Sequence, residues 1–280
     1  MPETQRENAA SLYINLLAGC LTRTIVSEEF VPIDSPTKPV LRAIWPALRA
    51  ILAGKDLELV RKYRVDPDRR AVGLDWPPSA ETMIGTARIE NLIECVESAL
   101  REHIPGDICE TGVWRGGAAI MMRAILKVHG DTERCVWACD SFEGLPKPDP
   151  KYAADEHDTH WKHKDYLGVS LETVQANFER YGLLDDRVKF LKGWFRDTLP
   201  TAPIERLSVL RLDGDMYEST MDVMCALYPK LSVGGYLIVD DYGLEGKGCK
   251  PALDEYRAKN NITEPLQQID WGGVYWRRVR

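Results

Sequence analysis

The stretch Asp107-Ile108-Cys109-Glu110-Thr111-Gly112-Val113-Trp114-Arg115-Gly116-Gly117 leads from a short apolar segment through a glycine-rich loop into a helical pattern. A strand, a glycine loop and a helix in this order form the nucleotide-binding turn of doubly wound α/β sheets. Dinucleotide-binding enzymes usually have G-x-G-x-x-G at this turn, whereas this loop spaces its glycines differently and begins with the carboxylate of Glu110. Because a carboxylate suits a cation better than a diphosphate, we expect a cationic ligand here.

Outward from this turn, short β-rich segments alternate with helical patterns, which is typical of βαβ units and a mainly parallel sheet. The predicted strands are 107–110, 135–140, 188–191, 208–213 and 235–240. The predicted crossover helices are 116–128, 170–181, 218–228 and 251–259. Two further segments, 266–269 and 274–277, predict a hairpin that closes the sheet edge. The predicted fold class is therefore α/β, with a Rossmann-like, doubly wound, mainly parallel sheet.

Residues 1–105 are predicted to form a helical N-terminal extension to a domain over 106–280. Apolar residues follow helical spacing over 12–21 and again over 89–100, where Thr86 is the predicted N-cap. Prolines between these two segments predict short helices and loops, which we expect to cover an active site. The apolar helix faces also predict that subunits pack there, in a homodimer or a higher homo-oligomer.

The composition restricts the class of partner. The chain has 280 residues, of which 44% are hydrophobic and 28% charged, as in an ordinary globular protein. Its formal net charge of −7 has the wrong sign for binding nucleic acid through phosphates. The apolar segment 12–21 is shorter than the ~20 residues of a membrane span, and residues 1–8 are not net positive as in a secretory signal. The seven cysteines lie mostly in apolar patterns, so we expect free thiols, a reducing cytoplasm, and no membrane or nucleic-acid partner.

The second predicted strand ends in Asp140. An acid at this position accepts the ribose hydroxyls in dinucleotide folds. Glu110 and Asp140 together therefore predict an adenosine that carries positive charge. S-adenosylmethionine fits, because its sulfonium and amino groups are cationic and it has no phosphate. The structural alternative is that the glycines make a tight turn and the acid caps a helix.

Two further predicted strands end in acids, Asp213 with Asp215 and Asp240 with Asp241. Because parallel strands end at one edge of a sheet, these carboxylates should crowd there, and a bound cation would relieve their repulsion. Oxygen ligands favour a hard ion, Mg²⁺ before Mn²⁺ or Ca²⁺. With Asp213, Asp240 and Asp241 as ligands, Asp215 would take the proton of a hydroxyl that the ion acidifies. The alternative is that these aspartates cap helices and turns.

Several short motifs occur together along the chain. They are T-M-I-G at 82–85, the glycine loop at 110–118, D-S-F at 140–142, G-W-F at 193–195, L-D-G-D at 212–215, Y-E-S-T at 217–220 and V-D-D-Y at 239–242. In this combination the chain resembles the macrocin O-methyltransferase family over most of residues 8–280. The resemblance implies a class I methyltransferase that uses S-adenosylmethionine and Mg²⁺ to methylate deoxysugar hydroxyls on macrolide and aminocoumarin antibiotics. Segments 211–228 and 271–278 look most similar to members that methylate the aminocoumarin sugar noviose.

The resemblance also implies roles for individual residues. The residues that contact the cofactor would be Thr82, Met83, Glu110, Thr111, Gly112, Val113, Trp114, Asp140, Ser141, Phe142 and Trp194. The metal ligands would be Asp213, Asp240 and Asp241, with Asp215 as the catalytic base. From the residues alone, Trp114 and Trp194 serve equally well as walls of a cofactor pocket or as part of the core.

Other functions fit parts of the pattern. The alternation of strands and helices alone allows a nicotinamide-dependent sugar oxidoreductase. An O-methyltransferase for a non-sugar hydroxyl, or a binding module without chemistry, is also compatible with the motifs. The segment 151–168 places His157, His160 and His163 among charged residues, and we expect a mobile lid over the substrate, with histidine as an alternative base.

Overall fold

The computed structural model describes residues 3–36, 38–244, 246 and 248–280. The elements before the main sheet are α1 (Glu3–Thr22), β1 (Glu28–Pro32), α2 (Pro39–Ala53), β2 (Val60–Arg64), α3 (Pro67–Ala71) and α4 (Thr86–Arg101). Strands β1 and β2 pair antiparallel and form a small sheet of their own. This region is therefore helical in large part, as expected, but also contains a strand pair.

The β1–β2 pair and the length of α2 differ from the short helices and loops expected here. Pro39 stands in the first turn of α2, where its missing N–H is not needed, so it starts a helix and does not break one. Helix α2 then continues for 15 residues despite Pro46. Strand β2 is mostly exposed, so its sequence lacks the apolar alternation that would reveal it.

Helix α4 has Gly85 as its N-cap, so the predicted cap at Thr86 is wrong by one residue. A Cβ atom at position 85 would lie 2.3 Å from the carbonyl oxygen of Ala71, which leaves room for glycine alone. Thr86 occupies the first helical position, and its hydroxyl donates to the Ala71 carbonyl at 3.3 Å. The close approach of α3, which no local pattern reveals, decides where α4 begins.

The main sheet confirms the predicted α/β fold. Its parallel strands are β3 (Asp107–Thr111), β4 (Val136–Asp140), β5 (Val188–Lys192), β6 (Leu207–Leu212) and β7 (Leu231–Val239). Strands β8 (Gln267–Gln268) and β9 (Val274–Arg277) form the expected hairpin, and β9 pairs antiparallel with β7. The order across the sheet is β5-β4-β3-β6-β7-β9-β8.

Helices cover both faces of the sheet. They are α5 (Gly117–Val128), α6 (Lys164–Leu167), α7 (Leu171–Arg180), α8 (Phe195–Thr198), α9 (Tyr217–Leu227) and α10 (Cys249–Lys259). Successive strand residues point to opposite faces, so Ile108 joins the core under α4 and α5 while Cys109 joins the core under α9 and α10. Within the described ranges no helix combines the length and the apolar character needed to cross a bilayer.

Residues on both sides of the predicted domain boundary share a core. Leu17 of α1 and Leu92 of α4 belong to the same buried cluster as Ile108 of β3 and Ile120 of α5. The N-terminal elements are thus packed on the sheet domain through α1 and α4. The division into 1–105 and 106–280 stays a prediction.

Candidate active site

The parallel strands β3, β4, β6 and β7 bring their carboxyl ends to one edge of the sheet. The loops after β3, β4 and β6 each contain a non-glycine residue with left-handed backbone, namely Trp114 (φ 47°), Phe142 (φ 56°) and Asp215 (φ 54°). Such conformations cost on the order of 1–3 kcal/mol each and cluster at functional sites. This edge is therefore the candidate site.

Gly112 joins the glycine loop to the chain that follows β6. It has a positive φ of 86°, and a Cβ atom there would lie 1.7 Å from the carbonyl oxygen of Asp213. The backbone N–H of Asp213 donates to the carbonyl of Thr111 at 2.9 Å. Glycine alone permits this approach, which brings the glycine loop and the first aspartate motif into one site.

Asp140 organises the loops after β3 and β4. Its Oδ2 accepts a hydrogen bond from the backbone N–H of Val113, and its Oδ1 accepts one from that of Phe142, both at 2.6 Å. Burial raises the pKa of this carboxyl, and the amide hydrogen bonds oppose the rise. Asp140 thus holds the glycine loop in place and lines the cavity beside it.

A cavity of about 800 Å³, which we name the loop cavity, opens between the glycine loop and the chain after β5. The predicted cofactor residues that line it are Met83, Gly112, Trp114, Asp140, Ser141 and Trp194. Lining residues that the sequence did not point to are Leu145, Pro146 and Arg196, whereas Phe195 belongs to the G-W-F motif. The lining of the cavity combines apolar and aromatic side chains with a few polar groups, as in sites that hold small organic ligands.

A second cavity of about 880 Å³, the acidic cavity, adjoins the loop cavity. Both cavities are lined by Met83, Gly112, Trp114, Asp213 and Asp215. The other predicted residues that line the acidic cavity are Thr82, Glu110, Val113, Asp240 and Asp241. Residues that sequence reasoning missed are Asp75, Trp76, Arg88, Arg211 and Trp271. The shared residues make the two cavities one continuous site.

Two of the predicted cofactor residues, Thr111 and Phe142, line neither of these cavities. Thr111 is buried, and its hydroxyl donates to the carbonyl of Arg211 at 3.3 Å. The ring of Phe142 is also buried and packs edge-on against Phe190, with 6.3 Å between the ring centroids. Both side chains therefore support the site from the core.

Three aspartates come together at the strand edge. Asp213, Asp215 and Asp241 each offer an oxygen atom, and these atoms lie within 4.8 Å of one another. Burial and the repulsion of neighbouring carboxylates raise the pKa of all three, that of Asp213 to about 6. A divalent cation would remove this repulsion, and an all-oxygen set suits Mg²⁺ or Ca²⁺.

Asp240 lies apart from this cluster because two arginines hold it. Its Oδ1 accepts a hydrogen bond from Arg211 at 2.6 Å, and its Oδ2 accepts one from Arg88 at 2.5 Å. Burial alone would raise the pKa of Asp240, but the two guanidinium groups outweigh burial and lower it. The predicted metal set includes Asp240 and leaves out Asp215, whereas the structure groups Asp215 with the other two aspartates.

The two arginines complete a buried chain of alternating charges. Arg211 donates hydrogen bonds to Glu110, at 2.7 Å, and to Asp240. Arg88 donates to Asp240 and also to Asp270, the latter at 2.8 Å. The sequence does carry a signal for Arg211, because it is the one charged residue in the buried strand β6. Arg88 gives no such signal, since an arginine on an amphipathic helix is ordinary.

Glu110 keeps one carboxylate oxygen unpaired. Its Oε1 accepts from Arg211, but its Oε2 is buried and has no hydrogen-bond partner within the described part of the chain. Burial raises the pKa of Glu110 to about 8, against the opposing effects of Arg211 and of the Ala119 amide at the start of α5. A buried, unused acceptor in a cavity wall is suited to a cationic group of a ligand.

Segment 151–168, predicted to be a mobile lid, is docked against the site. Asp155 is fully buried and accepts a hydrogen bond from the backbone N–H of Tyr217 at 2.7 Å. The backbone carbonyl of Tyr166 accepts a hydrogen bond from the indole N–H of Trp114 at 2.9 Å. The Tyr166 hydroxyl donates to the Pro77 carbonyl at 2.8 Å. The segment therefore covers the glycine loop, and its mobility stays a prediction.

The three histidines of this segment have different surroundings. His160 lines the acidic cavity. His163 packs edge-on against Trp76, with 5.4 Å between ring centroids. His157 lines neither of the two cavities. His160 is thus the histidine that the fold places next to the aspartates.

Comparisons with known proteins identify the family of this chain. The family model for macrocin O-methyltransferase matches residues 10–278. A Streptomyces olivaceus protein, 8-demethyl-8-(2,3-dimethoxy-alpha-L-rhamnosyl)-tetracenomycin-C 4'-O-methyltransferase, is 53% identical over 98% of this chain and 95% of its own length. Demethyldecarbamoylnovobiocin O-methyltransferase of Streptomyces niveus is 46% identical over 99% of this chain and 98% of its own. The solved structure of the O-methyltransferase NovP has a TM-score of 0.83 at 44% identity, covering 97% of this chain and 100% of that chain. The chain therefore belongs to the macrocin O-methyltransferase family.

Proposed function

We propose that this enzyme transfers the methyl group of S-adenosylmethionine to a hydroxyl of a deoxysugar carried by an antibiotic-type scaffold, with the help of a divalent ion. The observation that carries the proposal is the unpaired Oε2 of Glu110, which lies in the wall of the cavity that holds the three aspartates. It provides a place for a cationic methyl donor next to a place for a metal ion. The S. olivaceus relative is named for a rhamnosyl acceptor, which supports a sugar hydroxyl as the target.

We propose that the cofactor binds in the continuous site in one direction, which we infer from the residues that line the two cavities. The adenosine lies in the loop cavity, where Trp194 and Trp114 offer flat apolar surfaces and Asp140 stands at the ribose. The sulfonium end would reach the shared part of the two cavities beside Met83, with Glu110 in the wall of the acidic cavity. This direction points the methyl group at the acidic cavity, where the acceptor binds.

The aspartate cluster fits a divalent ion. Mg²⁺ is usually held by one or two carboxylates, with waters or substrate oxygens in the other positions. Asp213 and Asp241 supply such a pair, and their raised pKa values reflect a surplus of negative charge that a cation would offset. When bound, the ion supplies Lewis-acid polarisation of a sugar hydroxyl. Asp240 can join as a third ligand if it releases Arg88 or Arg211, and its place in the set stays a prediction.

Asp215 is the proposed general base. Its backbone N–H donates to Oδ2 of Asp241 at 3.0 Å, which holds its carboxylate beside the other two. Burial and the charges of Asp213, Asp158 and Asp240 raise its pKa well above the usual value of an aspartate, which makes its carboxylate a stronger base. The hydroxyl proton passes to Asp215, the sugar oxygen bonds to the methyl carbon, and the carbon–sulfur bond breaks to leave S-adenosylhomocysteine. Alignment of oxygen, carbon and sulfur is the main contribution of the site.

A panel of deoxysugar-bearing antibiotics, each lacking one O-methyl group, tests the proposal. With S-adenosylmethionine, at least one member should give methylated product and S-adenosylhomocysteine in equal amounts. EDTA should abolish turnover without preventing cofactor binding, and added Mg²⁺ should restore it. Turnover that persists in EDTA would remove the metal from the mechanism. Binding of NADH in place of S-adenosylmethionine would favour the oxidoreductase alternative.

Cofactor binding is expected to release a proton near pH 7. Glu110 has a pKa of about 8 without ligand, so it is largely protonated at pH 7, whereas the cationic cofactor favours its ionised form. The affinity should therefore increase as the pH rises from 7 to about 8 and change little above that range. Titration calorimetry in buffers of different ionisation enthalpy measures the released proton directly.

The variant Glu110→Gln gives the matching control. It keeps the size of the side chain but removes the charge, and we expect the dissociation constant for the cofactor to rise about 10- to 100-fold. The proton release and the pH dependence should both disappear. Unchanged proton release in this variant would show that another group titrates.

We also propose that the enzyme is at least a homodimer that associates through the N-terminal elements. Helix α2 leaves Val40, Leu41, Ile44 and Ile51 exposed, and Phe30 of β1 is 65% exposed. Apolar faces of this kind are usually covered by a partner. Ile44→Asp is expected to convert the oligomer to a monomer in light scattering, while Lys55→Asp, also exposed, should not. A monomeric mass for the unmodified enzyme would contradict the proposal.

The thiols support a reducing cytoplasm as the proposed location. All seven cysteines are free. The sulfur atoms of Cys109 and Cys139, on neighbouring strands, lie 3.7 Å apart without a bond between them. A reducing compartment keeps such neighbouring thiols unlinked.

A further inference from the structure

A groove lies beside the acidic cavity on the side of the C-terminal hairpin. This hairpin groove has about 990 Å³ of open space and is lined by Tyr242, Leu244, Pro251, Leu266, Trp271 and Val274. Leu244 and Trp271 also line the acidic cavity. The groove is therefore a continuation of the acidic cavity.

Trp271 forms a fixed wall between the two spaces. Its indole N–H donates to the carbonyl of Val72 at 2.7 Å, and the guanidinium of Arg88 lies 5.3 Å from its ring centroid. These contacts hold the ring, yet 38% of the residue stays exposed. A fixed indole with an exposed surface is suited to stack on a ring of a ligand.

A second indole, that of Trp76, also lines the acidic cavity. There Trp76 stacks on Tyr166, with 4.9 Å between centroids and 17° between the ring planes, and contacts His163 edge-on. One face of that indole is thus already covered by the docked segment. The hairpin groove past Trp271 gives a large group attached to the sugar an apolar space that is continuous with the acidic cavity.

We propose that the hairpin groove binds the aglycone of the acceptor, an apolar ring system bearing oxygen substituents, while the deoxysugar lies in the acidic cavity. The inference rests on the proposed function and adds the place of the non-sugar part. Leu266 and Val274 provide apolar walls, and the exposed side chains of Lys250 and Gln268 provide hydrogen-bond donors at the rim. Because the groove and the acidic cavity share Leu244 and Trp271, one acceptor molecule can place its sugar in the cavity and its aglycone in the groove.

The experiment compares two acceptors that share one deoxysugar. One is the full glycoside that the unmodified enzyme methylates, and the other is the simple methyl glycoside of the same sugar. Leu266→Ala removes an apolar contact that belongs to the groove and not to the acidic cavity. We expect kcat/KM for the full glycoside to fall about tenfold or more, and that for the methyl glycoside to stay within about twofold.

A second variant tests the same inference independently, in case Leu266→Ala folds poorly. Gln268→Trp puts a large ring on the exposed strand β8 at the groove, and it should cause the same selective loss by filling the space. Val233→Ala changes an exposed residue at the start of β7 and should affect neither acceptor. Equal losses for both acceptors, or none in either groove variant, would overturn the inference. Absence of turnover with every glycoside in the unmodified enzyme would instead overturn the proposed function.

Discussion

Replacement of Asp215 by asparagine is expected to lower kcat about 10²- to 10⁴-fold while leaving the affinity for S-adenosylmethionine nearly unchanged. The substitution keeps the shape of the side chain and removes its capacity to accept the proton of the sugar hydroxyl. Glu110, which the cofactor contacts in our proposal, is not altered. Product formation under saturating cofactor, together with calorimetric titration of the cofactor, measures both effects.

Two further variants distinguish the role of general base from that of metal ligand. Asp213→Asn should weaken Mg²⁺ binding more than about tenfold, since it removes a proposed ligand, and Asp215→Asn should weaken it less. Asp254→Asn, which alters an exposed carboxylate on α10, should leave kcat as it is. Normal turnover by Asp215→Asn would exclude Asp215 as the base. If Asp215→Asn loses more Mg²⁺ affinity than Asp213→Asn does, Asp215 is itself a metal ligand.

The fold was predictable because its signals are local. Side chains of neighbouring residues in a strand point to opposite faces, so Ile108 packs in one core and Cys109 in the other. The glycine loop at 110–117 marks the functional edge in the same way, since its spacing fixes where β3 ends and α5 begins. Parallel order then carries Asp213 and Asp241 to that edge without further information.

The arrangement of charges within the site depends on contacts that no local pattern contains. Arg88 precedes Asp240 by 152 residues, and their ion pair decides which aspartates remain for a cation. Trp271 reaches the acidic cavity from the far end of the chain, where it resembles an ordinary hairpin residue. The positions of the aspartates at strand ends predicted that they gather at one edge. Which of them form ion pairs with arginines could be seen only in the folded structure.

Arg211→Met is expected to lower the free energy of unfolding by about 3–5 kcal/mol at pH 7. Arg211 is 2% exposed and pairs with Glu110 at 2.7 Å, with Asp213 at 3.0 Å and with Asp240 at 2.6 Å. Its loss removes this counter-charge from Asp213 and Asp240, and a hydrogen bond from Glu110, in a poorly hydrated place. Urea denaturation gives the energy, and the melting temperature should fall by roughly 6–15 °C.

The pH dependence of this loss identifies its cause. In the unmodified protein the depressed pKa of Asp240 contributes stability above its usual pKa near 4, which is lost as the pH falls through the folded value. In the variant the unpaired carboxyls have raised pKa values and bind protons on mild acidification, so the difference between the two proteins should shrink from pH 7 to pH 5. Arg206→Met, exposed one residue before β6, should show neither the loss nor the trend. A loss that is independent of pH would point to packing, because a cavity or a misfitted methionine does not titrate.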